Sequence, residues 1–283
     1  MLNNAISIKA KTNRITSKEE QLYLVIEKGV LSKKGISYNG KSVKKKDYID
    51  ISKFGYSNKK KKDRQKVYQT YRKVFYDHPE CFWLSEGIYR YSQNGEALTG
   101  IIPFCKNFVK SKKQANVYEK KIEKKLQKIL ESISEVTDPV EQAYAVYQYL
   151  ASNIIYNKYV AEKKEEEAPS YVWTSYGALV KSDAACKGIA FAYKQVLDFL
   201  NNPRLHCIIV TSKEMNHIWN IIEINGEAYH VDVNRAVVSK FSEEKKECFL
   251  VSDSKMKEMK YTGWKESTPR NVPKCVNTQY DNR

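Results

Sequence analysis

The stretch His217-Ile218-Trp219-Asn220-Ile221-Ile222-Glu223-Ile224-Asn225-Gly226-Glu227-Ala228-Tyr229-His230-Val231-Asp232 decides the fold. Asn-Gly between two runs of β-branched and aromatic residues is a strong hairpin signal, because both residues tolerate the positive φ that a two-residue turn requires. With Asn225 and Gly226 in the turn, Ile224 faces Glu227. Counting back along both strands sets Trp219 opposite Asp232 and His217 opposite Asn234. Side chains alternate with period two, so His217 and Asp232 share a face as diagonal neighbours, with Cα atoms roughly 7–8 Å apart. An imidazole and a carboxylate can close that gap with a hydrogen bond.

Upstream, Leu205–Thr211 reads as another β-branched strand, and Cys186 to Leu200 as a helix ended by Asn201-Asn202-Pro203. Ser182 or Asp183 is the expected cap. Cys186 then opens the helix, where the partial positive charge of the N-terminus favours a thiolate. The amides of the same turn suit a developing oxyanion. A thiol, a distant imidazole and a carboxylate on the imidazole's own sheet face form the pattern of thiol acyl transfer. The spacing requires that the helix bring its N-terminus against the face bearing His217 and Asp232. Lys187 adds a cation beside the thiol. Cys207 and Cys248 lie in strands and read as packing. His206 is adjacent to Cys207 and points to the opposite face, so the two make a poor pair. His230 reads as a packing residue on the face of Asp232, Trp219 as a core filler, and His78 as a turn residue.

The preceding region is helical. Arg64–Tyr76 carries Val67, Tyr68, Tyr71, Val74 and Phe75 on one face and stops before Pro79. Phe82-Trp83 follows as an apolar plug, and Asn94-Gly95 predicts a hairpin within Gly87–Phe104. Tyr118–Val136 has a stripe of Ile122, Leu126, Ile129, Leu130 and Ile133. Asp138-Pro139-Val140-Glu141 is a helix start, with Pro at the first helical position. That helix runs to about Asn153, and Glu162–Pro169 is an acidic surface loop. Gln21–Val30 is either strand or helix, and residues 1–20 read as a loose terminus. Helices mostly first and strands later predict an α+β fold with an antiparallel sheet. Residues 1–110 are expected to form a basic accessory region, and 111–283 the domain that carries the chemistry.

The chain has 283 residues, 42% hydrophobic and 29% charged, enough to build a core and too apolar for global disorder. No apolar run approaches the roughly 18 residues of a membrane helix, and no signal-type stretch opens the chain. A cytoplasmic protein is the default expectation, with secretion or wall association expected if further sequence lies upstream. Six cysteines without a C-x-x-C pair give no disulfide framework and no structural zinc site. The net charge of +16 is concentrated: residues 1–137 hold 30 Lys+Arg against 14 Asp+Glu, and the remainder 19 against 19. Lys outnumbers Arg 41 to 8, which disfavours readout of base edges. The basic half suits a solvated surface or general contact with an anionic polymer.

Several motifs together resemble the transglutaminase-like superfamily of bacteria. They are Trp173-Thr174-Ser175-Tyr176-Gly177, Ala185-Cys186-Lys187-Gly188, His217-Ile218-Trp219-Asn220 and Gly226-Glu227-Ala228-Tyr229-His230-Val231-Asp232. Phe249-Leu250-Val251-Ser252-Asp253, Pro273-Lys274-Cys275 and, upstream, Asp77-His78-Pro79-Glu80 also look like segments of such proteins. The resemblance implies a papain-like core, with the helix of Cys186 packed on an antiparallel β-sheet beside a mixed N-terminal extension. It implies Cys186 as nucleophile, His217 as general base and acid, and Asp232 as orienting carboxylate. The activity implied is protease-like hydrolysis or transamidation of a protein or peptide substrate through a thioester. The sequence itself shows no calcium loop and no nucleotide-binding loop, so no cofactor and no metal is expected. Trp173 and Tyr176 are the candidates for a second oxyanion donor. A catalytically silent binding module, or a polyanion-binding protein on the same fold, is the alternative.

Overall fold

The computed structural model describes residues 17–33, 35–239 and 248–281. Most of the loose terminus expected at the start of the chain lies outside them. Two compact units are distinguished, residues 1–75 with 84–105, and residues 76–83 with 106–283. The segment 76–83, inside the expected accessory region, clusters with the second unit.

In the first unit, helix α1 (Lys18–Leu31) replaces the undecided Gln21–Val30 segment. Ser17 and Glu20 form a reciprocal capping box: the Glu20 amide donates to Ser17 Oγ at 3.2 Å and the Ser17 amide to Glu20 Oε2 at 3.2 Å. Leu22, Ile26 and Val30 form its buried face at i, i+4 and i+8. Strand β1 (Ile49–Asp50) is followed by α2 (Lys61–Asp77), whose Val67, Tyr71 and Val74 are fully buried as the periodicity predicts. Strands β2 (Leu84–Gln93) and β3 (Ala97–Cys105) pair antiparallel, and β1 adds to β3, giving the order β1-β3-β2. Gln93 pairs with Ala97, so the hairpin loop holds three residues, with Asn94 and Gly95 both at positive φ.

In the second unit, α3 (Lys112–Ser132) starts six residues before the expected Tyr118, because Ser111 caps it by accepting the Gln114 amide. Helix α4 (Pro139–Asn153) has the predicted limits, with Asp138 accepting from Val140 and Glu141. Strands β4 (Ile155–Tyr156) and β5 (Asp183–Ala184) form a short parallel pair. Then come α5 (Cys186–Leu200), β6 (Leu205–Ser212), β7 (His217–Ile224) and β8 (Glu227–Val231). A seven-residue helix α6 (Val233–Ser239) begins where the strand was expected to continue, and β9 (Phe249–Val251), α7 (Asp253–Glu258) and α8 (Trp264–Ser267) follow.

The main sheet is antiparallel in the order β6-β7-β8-β9. Its register is the one the Asn225-Gly226 turn dictates: Ile224 pairs with Glu227 and Asn220 with Val231. One face holds Asn220, whose Nδ2 donates to the Ala190 carbonyl of α5 at 3.1 Å. The other face, with Ile208, Val210, Trp219, Ile221 and Ala228, closes against Met256, Tyr261, Trp264 and Cys275. The fold is therefore α+β, with a helix packed on one side of an antiparallel sheet and the C-terminal segment on the other.

Candidate active site

Helix α5 packs on the face of Asn220, not on the face of His217 and Trp219 that the sequence argument required. The two groups meet all the same, at one end of the sheet. Asn220 is tied to Ala190. Counting back one helical turn from Ala190 reaches Cys186, and counting back three strand residues from Asn220 reaches His217. Both are the first residues of their elements. The Cys186 thiol is within hydrogen-bonding reach of the His217 imidazole.

His217 Nε2 lies 2.7 Å from Asp232 Oδ2. That leaves Nδ1 as the ring nitrogen not engaged by the carboxylate. Asp232 follows the last residue of β8 and is 1% exposed. Its Oδ1 accepts the Asn234 amide at 3.0 Å, and its Oδ2 also accepts the Tyr261 hydroxyl at 2.6 Å. Burial opposes its charge, but His217, Tyr261 and the Asn234 amide outweigh that and hold the carboxyl below its ordinary value. For His217, burial favours the neutral ring; the charge and hydrogen bond of Asp232, joined by Cys186, overcome this and raise the imidazole from 6.5 to about 10.

The start of α5 is built differently from the expectation. Its cap position is Ala185, with no side-chain cap bond. Ser182 and Asp183, the expected caps, are otherwise placed. Ser182 adopts the left-handed conformation, and Asp183 accepts from Asn157 Nδ2 at 2.9 Å and the Tyr171 hydroxyl at 3.1 Å. Gly188 is required by close approach: a Cβ there would lie 2.4 Å from the Val172 carbonyl oxygen and 2.9 Å from that of Thr174. The Ala185 amide donates to the same Val172 carbonyl at 2.9 Å. This seats the 170–174 turn against the helix start.

Two tyrosines stand at this site without having been singled out in the sequence. Tyr261, beyond β9, anchors Asp232 and packs edge-on to Trp219 at 5.1 Å between centroids. Tyr156 pairs in backbone register with Ala184, two residues before Cys186. Burial raises its phenol, and the nearby charges of Cys186, Glu165 and Asp232 raise it further, so it remains a hydroxyl donor. The β4–β5 pairing that places it joins segments 28 residues apart, a contact no local pattern reveals. Of the suggested oxyanion donors, Tyr176 is buried and stacks on Tyr118 at 4.5 Å and Phe82 at 5.6 Å, inside an aromatic cluster.

All six cysteines are free thiols. Burial pushes the Cys207 thiol up to about 12, as suits a packing residue. His78 bonds Glu80 locally, with Nδ1 2.6 Å from Oε1. His230, Asp253 and Cys275 bring potential ligand atoms within 4.8 Å of one another. However, Trp219 Nε1–H donates to His230 Nδ1 at 3.0 Å. A metal on Nε2 would put the ring proton on Nδ1, facing that N–H. The three residues therefore fit a hydrogen-bond network and not a metal centre. Among the described residues no helix is long and apolar enough to cross a membrane.

No protein-family model and no curated protein matches the sequence. A solved structure described as the crystal structure of a TGase is similar at a TM-score of 0.39 and 12% identity, over 65% of this chain and 51% of that one. The match thus spans about half the length of that protein.

Proposed function

We propose that the chain is a thiol acyl-transfer enzyme acting on peptide or carboxamide carbonyls, with Cys186 as nucleophile, His217 as base and acid, and Asp232 as orienting carboxylate. The single observation that carries this is the Asp232–His217–Cys186 line: a 2.7 Å carboxylate–imidazole bond with the helix-start thiol on the same ring. The Cys186 sulfur attacks the carbonyl carbon, forming the C–S bond of a tetrahedral adduct. Its oxyanion faces the uncapped first turn of α5, with the Tyr156 hydroxyl nearby. As the adduct collapses, the C–N bond breaks and the His217 imidazolium gives its proton to the departing amine. A water then loses a proton to His217 and attacks the thioester. The C–S bond breaks, and the thiolate and imidazolium are restored. An amine taking the place of water gives transamidation by the same steps; peptide hydrolysis is the favoured outcome for a substrate site open to water.

Alkylation by iodoacetamide tests the reading. Cys186 should be labelled near neutral pH far ahead of the other five cysteines, and Cys186→Ala should remove that label together with any hydrolysis of a peptide library. Labelling of Cys186 at the rate of an ordinary thiol, unchanged in His217→Gln, would instead make this a binding module on the same fold.

A second reading stands beside the first and is favoured by charge. Residues 1–75 and 84–105 hold 21 Lys+Arg against 8 Asp+Glu, whereas the rest of the chain holds 28 against 25. Lys41, Lys44–Lys46, Lys53 and Lys59–Lys62 are all exposed. In this reading the first unit attaches the enzyme to an anionic polymer.

A further inference from the structure

We propose that Asp253, His230 and Trp219 form a buried relay that positions the His217 ring for Cys186, making Asp253 and His230 positioning residues of the site. The proposal rests on the reading of Cys186 and His217 as the reactive pair.

The chain of contacts runs from C-terminal segment to sheet face. The Asp253 carboxylate collects donors from three directions. Lys265 Nζ lies 2.9 Å from Oδ2, and His230 Nε2 lies 3.0 Å from Oδ1. The Cys275 amide reaches Oδ1 at 3.4 Å, and the Cys275 sulfur lies within 4.8 Å of the carboxylate. His230 is 0% exposed. Its proton position follows from its partners. An indole N–H can only donate, so Nδ1, 3.0 Å from Trp219 Nε1, must be the bare nitrogen, and Nε2 must carry the proton that Asp253 accepts. The groups facing the ring are Trp219, Asp253 with its Lys265 and Cys275, and the edge-on ring of Trp264 at 5.2 Å. Burial keeps the imidazole neutral. Protonating it would oppose two N–H groups across the Trp219 bond.

Trp219 is therefore fixed in its plane by a bond at one end, and its ring lies against His217 with centroids 5.7 Å apart and planes 22° from parallel. His217 must present Nε2 to Asp232 and its other nitrogen to Cys186 at once, and a flip of the ring would undo both. A stacked indole that cannot turn restricts that flip. Tyr261 closes the remaining side, edge-on to His217 at 5.9 Å. Asp232 sets the direction of the imidazole, and the relay sets its plane.

The test uses the full chain labelled with ¹⁵N-histidine, with the His78 and His206 signals assigned by His78→Gln and His206→Gln. His230 should be neutral, protonated on Nε2, and should titrate below the ordinary histidine value near 6.5. Iodoacetamide labelling of Cys186 should slow on the order of 10-fold in Trp219→Phe and in His230→Leu, the size expected when a reacting group is slightly misplaced. His230→Gln should stay close to wild type, because its amide offers an acceptor to Trp219 and a donor to Asp253. The His217 titration midpoint should fall in Trp219→Phe, as a ring free to turn spends less time on Asp232. A proton on His230 Nδ1, titration of His230 at or above the ordinary histidine value, a zinc-dependent shift of its signals, or equal losses in the Gln and Leu variants would overturn the relay. If His230→Leu does not fold, Trp219→Phe and the tautomer still decide. An ordinary thiol at Cys186 in the wild type would sink the acyl-transfer reading, and the His230 tautomer with the His217 midpoint would then judge the relay separately.

Discussion

At the scale of single residues, the site turns on how Asp232 and His217 hold each other's charge. His217 is raised from 6.5 to about 10 in the folded chain, so folding binds its proton more tightly than the unfolded chain does. The stability it contributes is fully present below about pH 6.5 and is lost as pH rises towards about 10. Urea unfolding of wild type and His217→Gln should therefore show the largest gap near pH 6 and a smaller one at pH 10. A gap that widens with pH would contradict this. Tyr261 gives a second prediction. Its hydroxyl shares Asp232 Oδ2 with the imidazole, at 2.6 Å against 2.7 Å. A hydrogen bond to a buried carboxylate is worth about 1.5–3 kcal/mol, so Tyr261→Phe should cost about that much in chemical denaturation at neutral pH. It should lose less at a pH low enough to protonate Asp232.

Elements show where sequence reasoning reached and where it stopped. The β7–β8 register follows from two residues, Asn225 and Gly226, because a two-residue turn leaves one pairing. Helix α4 was equally legible, since Asp138-Pro139 marks its start by side-chain chemistry alone. Two helix starts lie apart from any apolar period: Ser17 with Glu20, and Ser111 with Gln114, each cap a helix ahead of its apolar stripe. The start of α5 lies beyond local reasoning altogether. What seats it is the turn at 170–174, against which only glycine fits at position 188. Tyr156 and Tyr261 come to the site by pairings across long sequence separations, which no period or spacing announces. Gly188→Ala tests the seating. The new methyl would press on two backbone carbonyls, so the helix start must shift. A cost of about 1–3 kcal/mol is expected, as for other overpacked sites, with a marked fall in Cys186 labelling. A substitution of equal thermal cost elsewhere on α5, Val196→Ala, should leave labelling near wild type.

At the scale of the whole molecule, the excess charge and the candidate site lie on different units. Cys186, His217 and Asp232 belong to the second unit, whereas most of the +16 belongs to the first. Lysines dominate that excess, and a lysine ammonium is a hydrated point charge without the fork that selects a particular phosphate geometry. Attachment through such a surface should depend on charge density and not on polymer sequence. It should also weaken steeply with salt, because the Debye length contracts from about 10 Å at 0.1 M to about 3 Å at 1 M. Lys59–Lys62 is an exposed block suited to a test, because Lys59 has an ion-pair partner, Glu96 at 2.5 Å, and can be left in place. Converting Lys60, Lys61 and Lys62 to Glu changes the net charge by six units without touching that pair. On an anionic column the variant should elute at clearly lower salt than wild type, while iodoacetamide labelling of Cys186 stays the same. Conversion of three exposed lysines on the second unit, Lys120, Lys121 and Lys124, serves as the control for net charge. If both triple variants elute together, attachment follows total charge alone and the first unit has no special part in it. If the first shifts well below the second, the basic surface of the first unit is the point of contact.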